Sequence, residues 1–319
     1  MEPLVPKGKG TSGGSGDGPP PSPLLKELLE STRLPPAWLR ILVVLATKGY
    51  DYWSQICAQG PEKVREAIYD LYNAKPPCED SAGYENAIDE VCPAGGKGLI
   101  KLRQGIFVVL FNMGGMNKST SFDCEWRVYV NAPLASAPTL FGEVIKLCRD
   151  PRCRITQTKI CSLPEEAKKR SDIIVVYTGS EEGARWVARL LGEGPCRLLL
   201  GGETVHMGLA THRGIAIGES PIAKGGDLEQ AVSFGDLRAA ALTLAMTSVW
   251  MERGDGPLEP MVFIKSLGFW LGKILPLIGL STQESHRNGL VTHQPGSKSE
   301  LLAFMFNWIQ RLERMKRLL

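Results

Sequence analysis

The sequence predicts an α+β fold: a helical N-terminal part followed by a mixed α+β domain with a small, mainly antiparallel sheet. Three observations carry this. Apolar residues recur at a helical period through residues 24–115. From residue 126 onward, runs of strand length appear between short helical stretches (WRVYVNA, ITQTKIC, IIVVYT). Regular crossovers are too few for a doubly wound parallel sheet. The implied organisation is a disordered tail at 1–23, a helical region at 24–115, and an α+β catalytic domain with C-terminal helices at 116–319.

Residues 1–23 are rich in Gly, Pro and Ser and have little apolar surface to bury. Gly8, Gly10 and Gly13 match a dinucleotide-binding spacing, and Gly10-Thr11-Ser12-Gly13-Gly14 matches a nucleophile elbow. Both motifs need a strand before and a helix after, which this stretch lacks. Helices follow in LLKELLESTRL, PAWLRILVVLATKGYDYWSQI and EKVREAIYDLYNAK. Pro36 suits a helix start, and Pro76-Pro77 ends the third helix. Residues 75–98 read as a loop holding one short helical turn at 84–91. Residues 99–113 are apolar throughout, and periodicity leaves helix and strand equally open. Asn112-Met113-Gly114-Gly115 closes that run, and 117–122 reads as a loop.

The expected elements beyond are a strand at 126–132, a helix at 140–148, a strand at 155–161, a helical turn at 164–169 and a strand at 173–178. A helix at 181–191 opens with acidic residues, which suit its N-terminus. Short strands are expected at 197–200 and 214–217, with helices at 235–251 and 262–275. A polar loop at 280–298 leads to an amphipathic helix at 299–318, capped by Ser297 or Ser299.

Composition narrows the function classes. The chain has 319 residues, with 37 Lys and Arg against 34 Asp and Glu and a net charge of +3. That balance argues against a nucleic-acid partner held by bulk charge. The 8 cysteines form no C-x-x-C pair, and Cys148, Cys153 and Cys161 lack zinc-ligand spacing. With no signal peptide, reduced thiols and a cytoplasmic location are expected. The apolar stretch 261–280 is interrupted by Lys265, Lys273 and Pro276, so no membrane span or membrane partner is expected. Metalloprotease, Walker A and serine-triad signatures are absent.

What the middle of the chain offers is placed cations. Arg127 and Tyr129 lie two apart on one strand and share a face, while Trp126, Val128 and Val130 point to the other, apolar face. Lys159 stands in the next strand, Arg170 before the third, and Tyr177 near its end. Arg238 lies in the first turn of the helix entered through Ser233-Phe234-Gly235-Asp236, where backbone N–H groups attract anions. A cation there is unfavourable unless an anion binds.

The runs RVYVNAPLASAPTLFGEVIKLC, TKIC, KKRSDIIVVYTGSEEGARWVARLL, ETVHMGLATHRGIAIGESP and AVSFGDLRAAALTLAM occur in this order over about residues 98–250. In this the chain resembles the type III effector HopA-like family. Members outside pathogens accompany class V lanthipeptide kinases and eliminate phosphate from phosphorylated Ser or Thr. The family is distantly similar to the effector phosphothreonine lyases, which carry a Lys-x-His pair on one strand and a base Lys on the next. The resemblance implies Lys159 as the base and Arg127, Arg170 and Arg238 as phosphate ligands, with Tyr177 in the active site. The Lys-x-His pair falls on Arg127 and Tyr129, so a tyrosine stands where the acid histidine belongs. Tyr129 then only orients the ester or His206 or His212 supplies the proton, and loss of activity stays open. Glu219 is a candidate for orienting one of the cations.

The implied reaction is β-elimination, giving dehydroalanine or dehydrobutyrine without a cofactor or metal. A lysine removes the α-proton only when neutral, and neighbouring guanidinium groups disfavour its protonated form. The same groups grip phosphate in forked hydrogen bonds and stabilise developing negative charge. The implied partners are a phosphorylated peptide and a separate kinase, since kinase motifs are absent from the chain. Two alternatives stand beside this: a non-catalytic partner for a phosphopeptide, leader peptide or kinase, and a secreted virulence effector.

Overall fold

In the computed structural model, residues 36–73, 83–92, 98–112, 126–202, 204–205, 208–221, 232–289, 294–295 and 297–318 are described. The strands are β1 (Leu99–Gln104), β2 (Phe107–Asn112), β3 (Trp126–Val130), β4 (Ile155–Cys161), β5 (Ile174–Thr178), β6 (Leu209–His212) and β7 (Ile215–Glu219). They form one antiparallel sheet in the order β1-β2-β4-β5-β3-β7-β6. The described helices are α1 (Pro36–Thr47), α2 (Tyr50–Ala58), α3 (Pro61–Asn73), α4 (Tyr84–Val91), α5 (Ala137–Leu147), α6 (Pro164–Ala167), α7 (Glu181–Glu193), α8 (Phe234–Arg253), α9 (Pro260–Leu277) and α10 (Lys298–Leu318). The α+β class expected from the sequence is the class observed.

Side-chain alternation splits the sheet into two faces with different tasks. Trp126, Val128, Val130, Ile174, Val176, Ile215 and Ile217 pack with apolar residues of α4, α5 and α7 in one core. The opposite face turns toward a helical bundle. Its Tyr129, Val175, Tyr177 and Ala216 join a second core built by α1–α3 and α8–α10. The Ala- and Leu-rich α8 is the axis of that bundle, with its residues from Leu237 to Val249 buried. Helices α2, α3, α9 and α10 all pack on it. The N-terminal helices therefore close over the sheet rather than stand apart from it.

Local chemistry sets the helix starts. Ser180 Oγ accepts from the Gly183 N–H at 3.1 Å and caps α7. Ser233 and Asp236 form a reciprocal capping box on α8, at 3.0 and 3.3 Å. Ser297 Oγ accepts from the Glu300 N–H at 3.2 Å, so Ser297 rather than Ser299 caps α10.

Four differences from the sequence reading have physical causes. The run PAWLRILVVLATKGYDYWSQI is two helices, broken at Gly49 with φ of 79°. Residues 99–113, undecided by periodicity and placed in the helical region, hold the β1–β2 hairpin, which turns at Gly105 with φ of 56°. Strand β2 is buried on both faces, which erases the alternation that would have identified it. The strand expected at 197–200 is a 3-10 helix, Pro195–Leu199, whose first residue lacks an N–H for a ladder. The four-residue edge strand β6 lies between the strands expected at 197–200 and 214–217, where none was assigned. The tail at 1–23, the helix expected at 24–34 and the loop expected at 117–122 lie outside the described residues.

Helix α9 is long and apolar enough to cross a membrane by length and composition; one side of it, with Phe263, Leu267, Leu271 and Ile274, is buried in the bundle core, while Val262, Phe269 and Leu277 are exposed.

Sheet and bundle meet closely at Gly218, where an added Cβ would stand 2.3 Å from the Phe234 ring. Gly218→Ala is expected to destabilise the fold by about 1–3 kcal/mol through overpacking. Gly202→Ala, at a position open on all sides, is expected to leave the melting temperature unchanged. Thermal unfolding of both variants checks this.

Candidate active site

Register assembles the site on the bundle-facing side of the sheet. Gln157, Tyr177, Arg127 and Gly218 line up across β4, β5, β3 and β7. The neighbouring row on the same face is Lys159, Val175, Tyr129 and Ala216. Lys159 Nζ lies 4.2 Å from the centre of the Phe107 ring and 5.8 Å from that of Tyr177. Arg127 Cζ lies 5.1 Å from the Tyr177 ring, and Arg170 Cζ lies 5.3 Å from Phe107. The result is an alternating series: Arg170, Phe107, Lys159, Tyr177, Arg127. Each ring lies within 6 Å of two cations, and the electron-rich ring between them lets like charges stand close together.

The two arginines are held differently. Arg170 is nearly enclosed and forks onto Asp172, at 2.8 and 3.1 Å. Burial works against its charge, but the attraction and hydrogen bonds of Asp172 outweigh that and push its pKa above the ordinary arginine range. Arg127 donates from Nε to Ser220 Oγ at 3.0 Å. Lys159 is half-buried and makes no ion pair or side-chain hydrogen bond among the described residues.

Tyr129 is buried, its ring 5.3 Å from that of Phe234. Its hydroxyl has no hydrogen-bond partner among the described residues. Burial pushes the phenol well above its ordinary range, with Tyr177 and Asp172 acting in the same direction against Arg127 and Arg238. It therefore keeps its proton at neutral pH. Such a group donates a hydrogen bond; it is a poor general acid.

The structure thus brings Lys159, Arg127, Arg170, Tyr129 and Tyr177 together and leaves Arg238, His212 and Glu219 apart. Arg238 is fully buried behind the Phe234 ring, 3.5 Å from its centre. Its guanidinium donates to the carbonyls of Ser285, Phe234 and Arg287 at 2.7, 3.3 and 3.4 Å. These carbonyls supply the negative charge that a cation at a helix start needs, so Arg238 clasps the 285–287 loop and takes no place on the site face. His212 is on edge strand β6, paired with Ile215 of the opposite core, and its ring sits against Gly192 of α7. Its Nε2 lies 4.0 Å from Glu193, so it does not face Lys159. His206 lies outside the described residues. Glu219 also points away: its carboxylate accepts from the Asn288 N–H at 2.7 Å, and the neighbouring Ser220 is the residue that positions Arg127.

Phe107, Asp172, Ser220 and Gln157 are the site residues that sequence reading missed. Gln157 was open to discovery, since it stands two before Lys159 on one strand. Phe107 was not, because its segment had no assigned secondary structure.

The described cysteines, Cys57, Cys92, Cys148, Cys153, Cys161 and Cys196, are free thiols. Burial raises their pKa values, to about 12 for Cys57 and Cys148. Among the described residues no group of three or more His, Cys, Asp or Glu side chains is placed to hold a metal.

No protein-family model matches the chain, and no curated protein matches it. Solved structures do. The chain is similar to the effector protein from Pseudomonas syringae pv. tomato strain DC3000, at 14% identity and a TM-score of 0.51, over 78% of this chain and 99% of that one. It is also similar to the effector protein from Pseudomonas syringae pv. syringae strain 61, at 13% identity and a TM-score of 0.47, over 76% and 97%. At this identity, the likeness to the strain DC3000 protein is one of fold.

The different settings of Arg238 and Lys159 predict opposite effects on stability. Arg238→Met strands several buried carbonyls and is expected to cost about 2–5 kcal/mol. Lys159→Met removes a cation flanked by cations and is expected to raise the melting temperature, as replacement of a strained functional group does. Denaturant and thermal unfolding check both.

Proposed function

We propose that the protein is a phosphoserine/phosphothreonine lyase. The observation that carries this reading is the series Arg170, Phe107, Lys159, Tyr177, Arg127, with its central amine unpaired among the described residues. Arg170, forked onto Asp172, and Arg127, held by Ser220, flank Lys159 and make the face complementary to a phosphate group. A protonatable group at the middle, flanked by guanidinium groups, is the arrangement β-elimination needs.

In the proposed reaction the phosphorylated side chain enters between the guanidinium groups, with its α-carbon at Lys159. The neutral amine takes the α-proton. The electron pair left behind forms the Cα–Cβ double bond, and the Cβ–O bond breaks with its electrons going to phosphate. The products are dehydroalanine or dehydrobutyrine and inorganic phosphate; no water is consumed. Arg127 and Arg170 stabilise charge on the departing group. The ester enters as its monoanion, one protonation below a second pKa of about 6, so it leaves as hydrogen phosphate without taking a proton from the protein, and Tyr129 donates only a hydrogen bond to the bridging oxygen. The substrate is a peptide phosphorylated by a separate kinase, in lanthipeptide-type maturation.

The fold shared with the strain DC3000 effector supports a second reading, in which the chain is itself an effector and its phosphorylated target is a host protein. The chemistry of the site is the same in both.

Incubation with a phosphothreonine peptide is expected to remove phosphate and leave dehydrobutyrine, seen by mass spectrometry. Lys159→Ala is expected to lower the rate by about 10²–10⁴-fold, as loss of a general base does, while peptide affinity is retained. Phosphate release that regenerates the hydroxyl means a phosphatase and overturns the elimination reading. Tight phosphopeptide binding by wild type without any product leaves a binding protein.

A further inference from the structure

A second shortage of partners lies beside the cations. Gln157 is 7% exposed, yet its side-chain amide has no hydrogen-bond partner among the described residues. Its amide atoms are not among the enclosed unpartnered ones, so they open toward the surface a ligand would occupy. Gln157 is two residues from Lys159 on β4 and on the same face, and it lies level with Tyr177 and Arg127 across the sheet. The Tyr129 hydroxyl, in the adjacent row, is unpartnered as well among the described residues. Unmet polar groups on the face that carries the unpaired amine are groups waiting for a ligand.

The geometry points to Gln157 as a catalytic residue that holds the peptide carbonyl next to the α-carbon; this rests on the lyase reading. Lys159 stands between two different neighbours. Toward Cys161 are Phe107 and Arg170; toward Ile155 is Gln157, in the row that reaches Arg127 two strands away, neutral and able both to donate and to accept. When the α-proton leaves, negative charge spreads onto the adjacent carbonyl oxygen. The Gln157 N–H₂ donates to that oxygen, and the hydrogen bond strengthens as charge builds. A neutral amide suits this task, because it stabilises the oxyanion without adding a fourth cation to the row. The amide also selects for substrates with a main-chain carbonyl: a phosphopeptide, not a phosphate ester lacking one.

Gln157→Met keeps the length and removes the donor. It is expected to lower kcat/KM for a phosphothreonine peptide by about 10²–10³-fold, the effect of losing one oxyanion donor. It is expected to weaken phosphopeptide binding about 5–20-fold while leaving inorganic phosphate binding unchanged. The primary isotope effect with an α-deuterated peptide is expected to rise, as proton removal becomes more rate-limiting; a merely structural role would not move it. Equal phosphopeptide affinity in the variant and in wild type, with folding intact by circular dichroism, overturns the assignment. The binding arm reads Gln157 even if wild type forms no product, an outcome that instead defeats the lyase reading.

Discussion

Three positive charges on one sheet face repel each other, and the architecture of the site follows from how that repulsion is contained. Two rings take part in it, each shared by a pair of cations. One carboxylate, Asp172, offsets Arg170. Lys159 receives no such compensation among the described residues. Cations placed in advance on one face are what a site acting on anions requires.

Such a face cannot be left to water, which would screen the charges and weaken their grip. The bundle provides the cover. Phe234, in the first turn of α8, packs on Tyr129 from above. Arg238, one turn later, clasps the 285–287 loop through its carbonyls. That loop is tied to the sheet in turn, since the Glu219 N–H donates to the His286 carbonyl at 2.7 Å. Arg287 extends the tie to α7 through Glu181, at 2.6 Å. A residue that reads as a ligand for phosphate is thus a structural clasp, and it acts on the site only through the ring it backs.

Likeness in fold to an effector and the proposed role of a few side chains in phosphate elimination bear on different questions. The first concerns the scaffold. The second concerns a few side chains on three strands, and those side chains do meet. Chemistry resides in the constellation and not in the scaffold, so the lyase reading depends on the row of cations and rings rather than on the fold around it.

Much of the scaffold was legible in the sequence because the relevant forces are local. Alternation placed Arg127 and Tyr129 on one face and Trp126 and Val128 on the other. An acidic opening located α7, and a capping serine with amphipathic period located α10. Where a strand is buried on both sides, as β2 is, alternation vanishes and only pairing with β1 and β4 settles its identity. Strand order was not legible either, and it decided the site. By placing β5 between β4 and β3, the sheet brings Lys159, Tyr177 and Arg127 side by side and sends His212 to a far edge. Charge type at a position is a property of the chain. Whether a buried arginine meets a ligand or a row of carbonyls depends on which loop folds over it, and that is a long-range contact no local pattern encodes.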